Sequence, residues 1–163
     1  VELPSRNAAR GAGGTCKYRA VAKIGSGSFG DISAAVNEAD PQDWIALKIE
    51  PRYRANDLVR SRSENSMVRF EWLVCKELAQ SAAATGLGVP CPMVRGCSVL
   101  QGEHDVLAME LLGPNLRDYT AGMGKRTLPE DLVLALGAAL VGRLQQLHAC
   151  GFVHRDLKPE NVL

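Results

Sequence analysis

Residues 151–163 read GFVHRDLKPENVL. Positions 154–161 of this stretch carry His154, Arg155, Asp156, Lys158, Glu160 and Asn161. So many charged and hydrogen-bonding side chains so close together look like a catalytic centre. Pro159 stiffens the loop between them, and His154 and Arg155 read as scaffold. The bland alternative is a charged loop behind a helix end, which leaves the spacing unexplained.

The segment before this stretch predicts that helix. Thr127-Leu128-Pro129-Glu130 has the S/T-x-x-E form of a capping box with an early proline. Leu132, Leu136, Leu140, Leu144 and Leu147 then line one side, and Gly151 is a C-terminal stop. The longest apolar run, LVLALGAALVG between Asp131 and Arg143, falls far short of the ~20 residues that span a bilayer, so no membrane helix is expected.

Composition sets wider bounds. The chain has 163 residues, with 46% hydrophobic, 23% charged and a net charge of +1. That is an ordinary globular composition with no global pull toward nucleic acid or an anionic membrane. Five cysteines are scattered without a CxxC pair, which predicts reduced thiols and a cytoplasmic or nuclear protein. A disulfide or metal pair of Cys91 and Cys97 is a minor alternative. Residues 1–17, rich in Gly, Ala and Arg without an apolar run, read as a flexible lead-in rather than a signal peptide.

Between these ends, YRAVAKI (18–24) and WIALKI (44–49) read as strands, with Asp40-Pro41 as a turn. Residues 51–63 carry Arg52, Arg54, Arg60 and Arg62 and read as a solvated loop, with a basic anion-binding patch as the sharper alternative. Residues 64–79 predict a helix with a stripe of Met67, Phe70, Val74 and Leu78, and Glu71 beside it. SAAATGLGVPCP reads as its break. CSVL and DVLAMEL read as strands around the turn QGEH, and LLGPN as a break.

The stretch GSGSFG places Gly25, Gly27 and Gly30 in a GxGxxG pattern, which alone is a weak signal. No Gly-Lys-Ser/Thr follows, which excludes a Walker A loop. A dinucleotide-binding unit is a serious rival, because Glu50 lies 20 residues past Gly30 at the end of another apolar strand. That rival needs a crossover helix, and DISAAVNEADPQDW offers at most two turns before Asp40-Pro41. A third candidate is the strand–turn–strand glycine loop of kinases, in which backbone amides face phosphate oxygens. Lys48, in Ile45-Ala46-Leu47-Lys48, is an ammonium in an apolar strand and needs a counter-charge. Glu71 or a phosphate could supply it.

HRDLKPEN matches the kinase catalytic-loop pattern H-R-D-L-x-x-x-N at every fixed position and follows the glycine loop and the lysine in the right order. The stretches KIGSGSFGDI, IALKIE, GVP, MELLGPNL and GFVHRDLKPEN resemble a protein kinase of the casein kinase 1 family. The resemblance implies an α+β protein-kinase-like fold: an antiparallel-sheet small lobe with helix αC over 18–110, then the hinge and the first helices of a truncated helical large lobe over 111–163. It implies ATP-dependent phosphorylation of Ser/Thr, with Mg²⁺, on proteins bearing acidic or phosphorylated sites. A monomer is expected, with no nucleic-acid or membrane partner.

Carried over by position, the resemblance implies that Gly25, Ser26, Gly27, Ser28 and Gly30 cover the phosphates and that Lys48 contacts them. Glu71 would be the partner of Lys48, with Glu64 and Glu77 as alternatives across the 23 positions from Lys48 to Glu71 and an insertion expected within 51–66. Ile32 and Ala46 would border the adenine, Met109 would be the gatekeeper, the backbone of Glu110 and Leu112 would bond the base, and Leu163 would lie beneath it. Asp156, Lys158 and Asn161 would be catalytic, with Asn161 on the metal. No D-F-G stretch is present, so residues 1–163 read as the N-terminal part of a catalytic domain, and residues 1–163 alone are expected to give no turnover. A nucleotide- or partner-binding fragment without catalysis is the alternative.

Overall fold

The structure, a computed structural model, describes residues 1–4, 15–27, 30–52, 66–86, 88, 91–124 and 127–163. Among the described residues six strands form an antiparallel sheet: β1 (Glu2–Pro4), β2 (Thr15–Gly27), β3 (Gly30–Asn37), β4 (Asp40–Pro51), β5 (Val94–Leu100) and β6 (His104–Glu110), in the spatial order β1-β2-β3-β4-β6-β5. Three α-helices accompany them among these residues: α1 (Met67–Thr85), α2 (Leu116–Gly122) and α3 (Glu130–Ala149). The chain divides into two compact units, residues 1–76 with 92–111, and residues 77–91 with 112–163. Residues 92–111 thus group with the first unit and residues 77–91 with the second.

Strands 18–24 and 44–49 lie in an antiparallel meander with no helix between them. This excludes the dinucleotide-binding unit, which requires parallel strands joined by a crossover helix. The β2–β3 hairpin closes with Gly27 opposite Gly30. The second turn falls at Glu38-Ala39 instead of Asp40-Pro41, because the Asn37 side chain accepts the Ala39 amide at 3.0 Å and nucleates the bend. Gln101 and Gly102, both at positive φ, make the expected turn between β5 and β6.

Alternation along β4 sends Ile45 and Leu47 to one face and Ala46, Lys48 and Glu50 to the other. The first face is the core, shared with Tyr18, Ala35, Val106 and Ala108. Leu3, at 1% exposure, completes it. The lead-in expected over 1–17 is corrected here: Glu2–Pro4 pairs with β2, whose first residue is Thr15, because Leu3 gains the apolar cover of the sheet.

Helix α1 differs from expectation in register and length. Met67 and Phe70 are 40% and 55% exposed, while Val68, Leu78 and Ala82 are buried. The inward face is Val68, Glu71, Cys75, Leu78 and Ala82, one position round from the expected stripe, and it includes Glu71 itself. The helix also runs through Ser81–Thr85, where a break was expected, since three alanines there favour helix. The segments expected as an arginine-rich loop and an insertion lie outside the described residues, except residues 51, 52 and 66.

Helix α2 was not anticipated. Asn115 caps it, accepting the Asp118 amide at 2.8 Å. Helix α3 begins at Glu130 with Pro129 at its N-cap and no side-chain cap bond, so the Thr127 capping box does not form. Its end matches expectation: Gly151, at φ 82°, donates to His148 O, and Phe152 donates to Leu147 O, a Schellman pair. Leu147 is buried, but Leu132 and Leu134 stay exposed. Among the described residues α3 is the one helix long and apolar enough to cross a membrane by length and composition, with mean hydropathy 1.3. Core helices and signal sequences share that composition. None of the five cysteines is disulfide-bonded.

Candidate active site

In the first unit the glycine pattern spans the β2–β3 hairpin. Gly25 and Gly27 belong to β2, and Gly30 opens β3. Ser28 lies outside the described residues. Gly30 has φ 144°, and a Cβ there would sit 2.0 Å from the Ile49 carbonyl oxygen, so only glycine lets β3 approach β4 at this point. Ser26 Oγ donates to Asp31 Oδ1 at 2.8 Å, and Lys23 Nζ stands 2.7 Å from the same oxygen. Lys23 first, then Ser26, holds the Asp31 carboxyl below its ordinary value.

Register brings the expected nucleotide-contacting side chains to one face. Ile32 is opposite Lys48, and Ala46 is opposite Met109. Cross-strand partners point the same way, so Ile32, Ala46, Lys48 and Met109 share the face away from the core. Lys48 Nζ bonds Glu71 Oε2 from this face, within a partly buried setting. Of the alternatives, Glu77 is exposed and Glu64 lies outside the described residues. At the end of β6 the Glu110 amide donates to Met93 O at 2.8 Å, so that amide is already engaged.

In the second unit, Asp156 sits among cations and donors. Its Oδ2 accepts Lys158 Nζ at 2.8 Å and Asn161 Nδ2 at 3.0 Å, and Asn161 Nδ2 also reaches the Asp156 carbonyl at 2.8 Å. The Lys158 hydrogen bond, ahead of the Asn161 bond, holds the Asp156 carboxyl below its ordinary value. The same bond raises the Lys158 ammonium. Arg155 takes φ 62°, a left-handed conformation unusual outside glycine, and the next amide donates to His154 Nδ1 at 3.3 Å. Such strain persists only where surrounding bonds hold it. The 3₁₀ turn Pro159–Asn161 then carries Asn161 back to Asp156.

Two further contacts brace this loop. Leu116 donates its amide to Val162 O at 2.7 Å, and Arg117 NH1 bonds Glu160 Oε1 at 2.5 Å. The Glu160 carboxyl is lowered, first by its own backbone amide and then by Arg117. Leu112 and Leu163 are exposed in this unit. Sequence reasoning missed Arg117, whose only signal was its place just after the Asn115 cap. Glu50, the ribose-binding acid of the rival dinucleotide reading, accepts the Ser66 hydroxyl and the Val68 amide.

In the first unit, the Gly30 position that admits no Cβ and the Lys48 ammonium on the face opposite the core suit phosphate oxygens. In the second unit, Asn161 donates through Nδ2, and its Oδ1 suits a hard cation. Among the described residues no group of three or more His, Cys, Asp or Glu side chains could hold a metal. Phosphate oxygens would therefore have to complete any coordination. The family model for the protein kinase domain matches residues 18–163. The chain belongs to the protein kinase family.

Proposed function

We propose that this member of the protein kinase family transfers the terminal phosphoryl group of ATP to serine or threonine hydroxyls of proteins, in the manner of the casein kinase 1 family. The observation that carries the proposal is the Lys158 ammonium 2.8 Å from Asp156 Oδ2. Asp156 orients the hydroxyl and accepts its proton. Lys158 neutralises the carboxylate before the proton moves and stands beside the developing negative charge. Asn161 fixes Asp156 through its Nδ2 and would turn Oδ1 to Mg²⁺, which supplies charge neutralisation on the phosphates when bound. Gly25, Gly27 and Gly30 keep Cβ atoms off the phosphate path, and Lys48, held by Glu71, contacts phosphate oxygens. In the first unit, Ile32, Ala46 and Met109 would border the base.

The MELLGPNL and KIGSGSFGDI stretches support the subfamily, and with it a preference for acidic or phosphorylated protein sites. A monomer in the cytoplasm or nucleus fits the free thiols and the near-neutral charge. The test is phosphoryl transfer from Mg²⁺-ATP to a casein-like acidic protein by residues 1–163 extended through a D-F-G stretch and a full large lobe, followed by phosphoamino-acid analysis. Phosphoserine or phosphothreonine that disappears with Asp156→Asn is expected. Nucleotide binding with no turnover at all would favour the non-catalytic alternative, and phosphotyrosine would overturn the residue specificity.

A further inference from the structure

Glu50 and Asp105 face each other across the β4–β6 pair, and both are buried, at 8% and 1% exposure. Like charges directly opposite on neighbouring strands repel, and a buried carboxylate needs partners. The partners come mainly from the first turn of α1. Glu50 Oε2 accepts the Ser66 hydroxyl at 2.9 Å and the Val68 amide at 3.1 Å. Ser66 Oγ in turn accepts the Arg69 amide at 3.3 Å. Ser66 and Glu50 thus divide the free amides of the helix start between them.

Helix α1 has no acidic residue in its own first turn. Strand β4 supplies the negative charge that a helix N-terminus favours. Asp105 Oδ1 accepts Arg69 Nε at 3.0 Å and Arg52 Nε at 3.1 Å, so it too is tied to α1. Lys48 lies two residues before Glu50, on the same face of β4. Glu71 lies three residues after Val68, under one helical turn away. Moving the first turn of α1 off the sheet would carry Glu71 away from Lys48, strip Glu50 of the Ser66 and Val68 donors and leave Asp105 with Arg52 alone.

We propose that Glu50 and Asp105 are positioning residues for the Lys48–Glu71 pair, fixing the first turn of α1 so that Glu71 meets the lysine. Neither touches a reacting group; both act through Glu71. The inference rests on Lys48 as the nucleotide's phosphate contact.

The test is a double-mutant cycle read as the affinity of the whole protein for a non-hydrolysable ATP analogue with Mg²⁺. Glu71→Gln should weaken binding by about tenfold, the scale of one charge-assisted hydrogen bond. Glu50→Ala and Asp105→Asn should each weaken it comparably, and neither should weaken it further in the Glu71→Gln background, whereas general destabilisation would add. Glu50→Gln keeps an oxygen that can accept both α1 bonds and should recover most of the affinity. Trp72, beside Glu71, should shift its emission in Glu50→Ala on a Trp44→Phe background and return in Glu50→Gln. Should Glu50→Ala fail to fold, Ser66→Ala removes one of the two bonds and takes its place with the same criteria. Additive losses, or unchanged affinity in a folded Glu50→Ala protein, would overturn the proposal. Unchanged affinity in Glu71→Gln would instead remove the assignment of Lys48 on which it rests.

Discussion

Lys48 Nζ donates to Glu71 Oε2, tying the central strand β4 to helix α1 across the face of the sheet opposite the core. The bond orients an ammonium that would otherwise be a charge in an apolar strand, and it leaves two of its three donors for an incoming anion. Lys48→Met is expected to lower kcat/KM for phosphoryl transfer by about a hundredfold or more, the cost of one preorganised cation in a transition state that spreads charge over oxygens. Steady-state kinetics with an acidic protein substrate checks this. Activity within a few-fold of wild type would mean that Lys48 is only a structural lysine.

A second expectation follows from the Asn115 cap. Its side chain accepts the Asp118 amide and donates to Asp118 Oδ2, both at 2.8 Å, at the start of the seven-residue α2. Short helices depend heavily on their caps. Asn115→Ala should cost about 1 kcal/mol and raise amide exchange through α2. Because Leu116 and Arg117 bond Val162 and Glu160, the exchange should also rise at Asn161 and Val162. Hydrogen exchange confined to α2 would show that the loop is braced without it.

The sequence made some of this legible and hid the rest for physical reasons. The meander, the β5–β6 hairpin and the end of α3 were readable because alternation, Gln101-Gly102 and Gly151 act locally. The inward face of α1 was not. Met67 and Phe70 are the larger apolar residues, yet the helix turns Glu71 and Cys75 inward with Val68, because Glu71 has a charged partner on β4. The rival reading of Glu50 as a ribose-binding acid stood open because its partners, the Ser66 hydroxyl and the Val68 amide, lie at the start of a helix whose docking no spacing rule specifies. Leu3 was invisible as core because one apolar residue in a short segment carries no period. The catalytic loop was legible as a motif, but the Arg117–Glu160 brace was not, since it joins residues 43 positions apart.

Gly30 gives a prediction about folding rather than catalysis. Its φ of 144° and the 2.0 Å gap from a built Cβ to Ile49 O leave no room for a side chain. Relief would need the backbone of β3 and β4 to part, because the blocking atom is a carbonyl and not a flexible side-chain tip. Gly30→Ala should destabilise the protein by about 1–3 kcal/mol from backbone strain, with the clash adding to it. Urea denaturation followed by fluorescence measures it. A stability change below the error of the method would show that the hairpin tip shifts freely.

The charge pair at Asp156 predicts a pH dependence with a definite sign. Lys158 first, then Asn161, lowers the Asp156 carboxyl, and both groups are on the surface of the loop. A lowered carboxyl keeps its charge to more acid pH. Its contribution is complete above the ordinary carboxyl value and is lost as pH falls through the lowered one. Lys158 is raised by the same contact, so its contribution is complete below the ordinary lysine value and is lost only as pH rises through the raised one. The pair is therefore intact throughout the neutral range. If Asp156 accepts the hydroxyl proton, the acid limb of kcat/KM should lie below the ordinary aspartate range in the wild type. Lys158→Met removes the largest cause of the shift and should move that limb upward while lowering kcat by about tenfold to a hundredfold. Lys158→Arg keeps a cation near Oδ2 and should leave the limb closer to its original position. The profile should be taken at saturating ATP with substrate varied, so that the limb reports the enzyme with nucleotide bound. An acid limb that stays in place in Lys158→Met, with kcat reduced, would separate the two roles: the lysine would serve the phosphoryl charge without tuning Asp156.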